Sequence, residues 1–162
     1  MIISPYKIFN ENIISNISNR EEQIQQNGID LTIKSISKLN NFTWYNILTK
    51  NERKHIDRFD MKFNKENTIL LQIGIYDILF NEEINIPNEM CATIYTRSTL
   101  NRGWNFITAW LYDAWYKGML GWILHINIPL LLEKDSRIAQ IVFNKAEKGG
   151  LYEGIYNNTT TA

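Results

Sequence analysis

The chain of 162 residues contains one cysteine, Cys91. It therefore closes no internal disulfide and builds no thiolate metal cage, which fits a reducing compartment, so a cytoplasmic location is expected. No charge of one sign dominates, because seventeen basic residues balance seventeen acidic ones. No global field then draws the protein to nucleic acid or to an anionic membrane. Long apolar runs are missing too. The longest, near Trp122–Ile128, is interrupted by His125 and Asn127 and falls far short of the ~20 residues of a membrane helix. Neither a nucleic-acid nor a membrane partner is expected. Met1–Pro5 lacks the basic and apolar stretches of a secretory signal, so the N-terminus is expected in the folded product.

What is present is 44% hydrophobic residues, enough for a single core. One domain is expected over residues 1–156, with Asn157–Ala162, small and polar, as a mobile tail. Ser4-Pro5 is a helix start, a capping hydroxyl followed by a proline suited to the first turn. Tyr6, Phe9, Ile13 and Ile17 recur at helical spacing, which predicts an amphipathic helix over Pro5–Asn16. Thr49-Lys50-Asn51-Glu52 has a capping-box pattern and opens a charged stretch through Phe63 that reads as an excursion from the core.

From Thr68 the period changes to two. Trp122, Leu124, Ile126 and Ile128 alternate with Gly121, Ile123, His125 and Asn127; Ala92–Thr96 and Ile138–Phe143 read likewise as strands. Short strands without intervening helices long enough for parallel crossovers predict an all-β barrel or sandwich.

Three places carry candidate chemistry. Arg97-Ser98-Thr99-Leu100-Asn101-Arg102-Gly103 brings two guanidinium forks and two hydroxyls to the end of a predicted strand. That set suits a phosphate; a solvated strand end is the other reading. Asp113 lies at a hairpin among Trp110, Tyr112, Trp115 and Tyr116. Such an acid is expected to be partly desolvated, hence a general base or water orienter, against the simpler reading of a turn-forming aspartate. The aromatic rings can floor a planar base or sugar, or be ordinary core. Asp30, ahead of a predicted strand, can hold a hard divalent cation directly or through water. His125 is expected in the core, His55 on the surface, and Cys91 is not read as a nucleophile because no histidine accompanies it.

In order along the chain, these segments resemble the superfamily of trimeric dUTP diphosphatases and dCTP deaminases, closest to archaeal or viral dUTPase-like members. Gln25–Leu31 looks like the first family motif, and Ile84–Pro87 leading into Arg97–Arg102 like the second. Thr108–Gly118 looks like the third, Ser136–Phe143 like the fourth, and Tyr152–Tyr156 like the closing segment of the deaminase and archaeal branch. The resemblance implies a distorted β-barrel or jelly roll with a short N-terminal helix, assembled as a homotrimer with active sites between subunits. It implies that Arg97 and Ser98 touch the phosphates, with Thr99 and Arg102 beside them, and that Gln140 reaches phosphate from another motif. Tyr116 would lie beneath the deoxyribose, main chain around Ile107–Trp110 would read the pyrimidine, Gly121 would admit the base, and Tyr156 would belong to the closing segment.

By the same resemblance, deaminases carry a glutamate ten residues beyond the third-motif aspartate. Here that residue is Ile123, which moves no protons. The implied activity is hydrolysis of dUTP, or a related deoxypyrimidine triphosphate, to the monophosphate and pyrophosphate. Asp113 would activate water, Mg²⁺ would bridge the triphosphate, and Asp30 would be an outer-shell contact. Two alternatives accompany it: a family member without turnover that senses nucleotide or binds protein, and a dCTP deaminase, disfavoured by Ile123. Trp110 and Trp115 stand where family members usually have smaller residues. Asp135 stands in place of a glycine, where its charge would repel a triphosphate unless it faces away.

Overall fold

The computed structural model describes residues 1–39 and 57–147. The elements in chain order are α1 (Pro5–Asn10), β1 (Ile14–Ser15), α2 (Arg20–Gln23), β2 (Ile29–Leu39), β3 (Arg58–Met61), β4 (Thr68–Leu71), β5 (Gly74–Asn85) and β6 (Met90–Thr96). They continue with α3 (Ser98–Arg102), β7 (Phe106–Ile107), β8 (Trp110–Tyr112), β9 (Lys117–Ile126), β10 (Leu130–Glu133) and β11 (Arg137–Lys145). The architecture is all-β, as the period-two pattern predicts. An antiparallel sheet runs β7-β9-β5-β2-β11-β6-β8, with β1 on β5 and β3 on β2, while β10 and β4 form a separate ribbon.

Alternation builds the core. In β5, Tyr76, Ile78, Phe80 and Ile84 point inward and are buried, and β6 does the same with Ala92 and Ile94. The sheet curls into a half-barrel because three pairings slip register, at Ile33/Ser35, Leu79/Glu83 and Arg137/Ala139. Such bulges bend a strand and increase its twist. Gly28, just before β2, permits close packing on β11, since a Cβ there would lie 2.7 Å from the Gln140 Cγ and the Ile141 carbonyl oxygen.

Several expectations need correction. The first helix stops at Asn10 rather than Asn16, because Asn12 and Asn16 take left-handed φ values of 54° and 62°, a conformation asparagine tolerates and a helix does not. Its buried residues are Pro5 and Ile8; Tyr6 is exposed, and Ile13 is buried from beyond the helix. The Ser4 side chain makes no capping bond, although its carbonyl accepts from Lys7 and Ile8. Part of the supposed excursion is strand: β3 pairs Arg58–Met61 with Ile36–Leu39. Ile128 is exposed, since β9 ends at Ile126. His125 is only partly buried, between Ile75 of β5 and Phe106 of the edge strand β7, and it stacks on Phe106 with centroids 4.5 Å apart. Thr49–Glu52, His55, Tyr156 and the tail at 157–162 lie outside the described residues.

Candidate active site

Three chain segments meet at the carboxylate of Asp30: β2, β11 and the turn between β6 and α3. The pairing of β2 with β11 sets Asp30 opposite Gln140, whose Nε2 donates to Asp30 Oδ1 at 3.0 Å. Arg97, between β6 and α3, places Nε 3.0 Å from Oδ2, and Arg137, at the start of β11, places Nη1 3.6 Å from the same oxygen. Arg97 also donates through Nη1 to the Arg137 carbonyl at 3.0 Å, and Arg137 pairs with Glu22 of α2. Asp30 is fully buried while both guanidiniums keep roughly a quarter of their side-chain surface in water. Burial pushes its carboxyl above the usual range; the Gln140 bond, Arg97 and Arg137 pull it back. The result is a pair of guanidiniums fixed by Asp30 and still partly open to solvent, Arg137 being held by Glu22 as well. They line an open cleft of about 370 Å³ with Ser18, Thr32, Asp135 and Ser136.

Ser98, Thr99 and Arg102 lie on α3 directly after Arg97 and are exposed. Asp135, with φ of 64°, occupies a left-handed position that explains the family's glycine there. Its Oδ1 accepts from Asn81 Nδ2 at 2.8 Å, so one oxygen is already matched.

The hairpin residues lie elsewhere. Ile107 is tied to Thr96 by reciprocal bonds of 2.8 and 2.9 Å, near Arg97. From there β8 runs antiparallel to β6, with Trp110 opposite Ile94 and Tyr112 opposite Ala92. Asp113 follows Tyr112, and it is exposed rather than partly desolvated. Since Tyr112 is opposite Ala92, Asp113 comes next to Cys91, and its charge adds to burial in raising the Cys91 thiol. Arg97 is five steps beyond Ala92 along the chain, roughly 17 Å of strand at ~3.4 Å per residue. Within one chain Asp113 does not meet the guanidiniums.

Tyr116 is a core residue, its hydroxyl donating to the Met119 carbonyl at 2.7 Å and its ring against Tyr112 at 4.9 Å. Gly121 is buried, and its carbonyl accepts from the Tyr112 hydroxyl at 3.1 Å. The hairpin aromatics thus divide between core and surface: Trp110 is 47% exposed and stacks on Trp122 at 4.3 Å, and Trp115 is 45% exposed with Nε1 donating to Asn88.

Sequence reasoning missed Arg137, which ion-pairs with Asp30, and the buried group behind it. Glu82 is fully buried on β5. One oxygen accepts from Thr32 Oγ1 and Gln23 Nε2, both at 2.7 Å, and the other from the Thr32 amide at 3.0 Å. A signal for it existed: Tyr76, Ile78, Phe80, Glu82 and Ile84 share one alternation, so Glu82 is an acid at an inward position.

A model of the dCTP deaminase-like family matches residues 7–146. A probable deoxyuridine 5'-triphosphate nucleotidohydrolase of Methanosarcina mazei is 34% identical over 158 residues, covering 94% of this chain and 91% of that protein. The deoxyuridine 5'-triphosphate nucleotidohydrolase of Methanocaldococcus jannaschii is 34% identical over 139 residues, covering 84% and 88%. Among solved structures, the 2'-deoxycytidine 5'-triphosphate deaminase of Agrobacterium tumefaciens superposes with a TM-score of 0.69 at 17% identity. The match covers 90% of this chain and 48% of that one, so the chain spans about half the deaminase's length and shares its fold. With a family model spanning nearly all of the strands and relatives alike over almost their full length, the chain belongs to the dCTP deaminase-like family.

Proposed function

We propose that the protein hydrolyses dUTP to dUMP and pyrophosphate, the activity for which its archaeal relatives are named. The observation that carries the reading is the pair of guanidiniums, Arg97 and Arg137, anchored by buried Asp30 beside the exposed hydroxyl of Ser98. Arginine forks on a rigid strand end, with a hydroxyl adjacent, suit the charge that accumulates on a transferring phosphoryl group. Ser98 and Arg97 bind the phosphates, with Thr99, Arg102 and Gln140 beside them. The hairpin from Ile107 to Gly121, with Trp110 and Tyr116, receives the nucleoside.

In the reaction Asp113 accepts a proton from water as the water oxygen bonds to the α-phosphorus. The bond from that phosphorus to the bridging oxygen breaks, and pyrophosphate leaves with the electron pair. A general base must lie within hydrogen-bond reach of its water, ~3 Å, and Asp113 is far from Arg97 along β6. The site is therefore completed between copies, and we infer a homotrimer in which one subunit's hairpin faces the next subunit's Arg97–Ser98 end. The cytoplasm, where a lone thiol stays reduced, is the compartment we infer.

The substrate is the magnesium complex of dUTP. The described residues contain no group of three or more histidine, cysteine, aspartate or glutamate side chains that would hold the ion alone. An ion arriving on the triphosphate would keep its phosphate and water ligands, because Asp30 Oδ2 is buried against Arg97 and Arg137 and the carboxylates that line the cleft are those of Glu22 and Asp135. Carried in with the nucleotide, magnesium would neutralise phosphate charge.

Deamination is disfavoured. Ile123 is paired across the sheet with Asp77, and that carboxylate is held by Arg58. Purified protein supplied with magnesium and either nucleotide tests the reading: pyrophosphate from dUTP is expected, ammonia from dCTP would transfer the chain to the deaminases, and neither product would leave a binding protein.

A further inference from the structure

Glu82 is a buried carboxylate whose partners are all neutral: the Thr32 amide and hydroxyl and the Gln23 side-chain amide. The directions of these bonds are fixed. Asn81 Nδ2 donates to Thr32 Oγ1 at 3.0 Å, so the Thr32 hydroxyl hydrogen is left to point at Glu82. Gln23 Oε1 accepts from the Ser18 and Asn19 amides and the Ser18 hydroxyl, so its Nε2 faces Glu82 and, at 3.1 Å, the Asp30 carbonyl. Glu82 thereby grips β2 at Thr32 directly and at Asp30 through Gln23, on both sides of Leu31. It lies within the stretch of β5 where the pairing with β9 slips, between Leu79 and Glu83. A buried acid without a countercharge is costly unless every acceptor is matched, and here three donors converge on it.

We propose that Glu82 is a positioning residue for the phosphate-binding end of the site: by fixing the Asp30–Thr32 segment of β2 it sets the Asp30 carboxylate against Arg97, Arg137 and Gln140. The inference rests on the hydrolase reading. An amide in its place would turn one acceptor into a donor facing a donor, and the smallest relief is a shift of β2. Misaimed guanidiniums lose more in the transition state than in the ground state, because the charge they meet grows during reaction.

The test is a double-mutant cycle on dUTP turnover with Glu82→Gln, Asp30→Asn and the double variant. Glu82→Gln is expected to lower kcat at least tenfold while KM moves less than threefold, and the double variant to be no slower than the slower single one. Losses that multiply, or a Glu82→Gln variant within twofold of the parent, would overturn the proposal. If Glu82→Gln does not fold, Thr32→Val, which removes one donor to Glu82 and keeps the branched shape, carries the same cycle with a smaller fall, about threefold. An independent readout is the Gln140 side-chain amide resonance, slow to exchange while that amide is bound to Asp30. Its loss of protection in the folded Glu82 variant supports the proposal, and unchanged protection overturns it. A parent protein without dUTP turnover would strike the hydrolase reading alone, and the amide readout would then decide this one.

Discussion

Arg97 Nε lies 3.0 Å from Oδ2 of Asp30, a residue from a different strand. The contact joins the first and second motifs into one unit, and Arg137, 3.6 Å from the same oxygen, adds the fourth. Removing the carboxylate leaves two guanidiniums facing each other across a buried position. Asp30→Ala is expected to cost about 1–3 kcal/mol, below the fully buried range because both arginines keep part of their surface in water. Urea denaturation measures it; unchanged stability would mean that the ion pairs contribute nothing.

Asp113→Asn should leave nucleotide binding intact while kcat falls by roughly 10²–10⁴, the usual range for loss of a general base. Weakened binding with normal turnover would contradict the role.

Ser98 is exposed at the start of α3. Ser98→Ala should weaken dUTP binding by roughly tenfold, the size of a hydrogen bond to a charged group, and leave deoxyuridine binding unchanged. Calorimetry on both ligands separates the cases, and equal losses would count against a phosphate contact.

The strands were legible because alternation is a local property. β6, β9 and β11 can be read from Ala92–Thr96, the run into Ile126, and Ile138–Phe143, and Arg97 and Ser98 do follow a strand, but the arginine that joins Arg97 on Asp30 is Arg137 from β11 and not Arg102. The early end of the first helix was not legible, because two asparagines in left-handed conformation decide it rather than apolar spacing. β3 was missed for a different reason: its four residues are exposed or half-buried and owe their conformation to β2. The Glu82 cluster depends on partners fifty or more residues away, which no local window contains. Asp113 was misjudged because neighbouring aromatics in sequence, Tyr112 and Tyr116, turn into the core and leave the acid in water.

Burial pushes the carboxyls of Asp30, Asp77 and Glu82 above their ordinary range. A raised value in the folded state means that the folded protein holds the proton more tightly than the unfolded chain. The stability each contributes is present below the unfolded value and is lost as pH rises through the folded one. Glu82→Gln removes one such group. Stability of this variant should fall less steeply with rising pH, from the ordinary carboxylate range upward, than stability of the parent. Denaturation curves at a series of pH values measure the two slopes, and an equal or steeper slope in the variant would contradict the sign.

The central claim is that the Asp113 hairpin of one copy serves the Arg97–Ser98 end of another. Complementation tests it most directly, using Asp113→Asn and Ser98→Glu, the second placing a repelling charge at an exposed position without disturbing the core. Each variant alone should be inactive. After unfolding, mixing in equal amounts and refolding, about a quarter of the sites in a three-membered ring regain both intact halves, so turnover should return to about a quarter of the parent's. A mixture as inactive as its components would mean that both halves must come from one chain, and the account would be wrong.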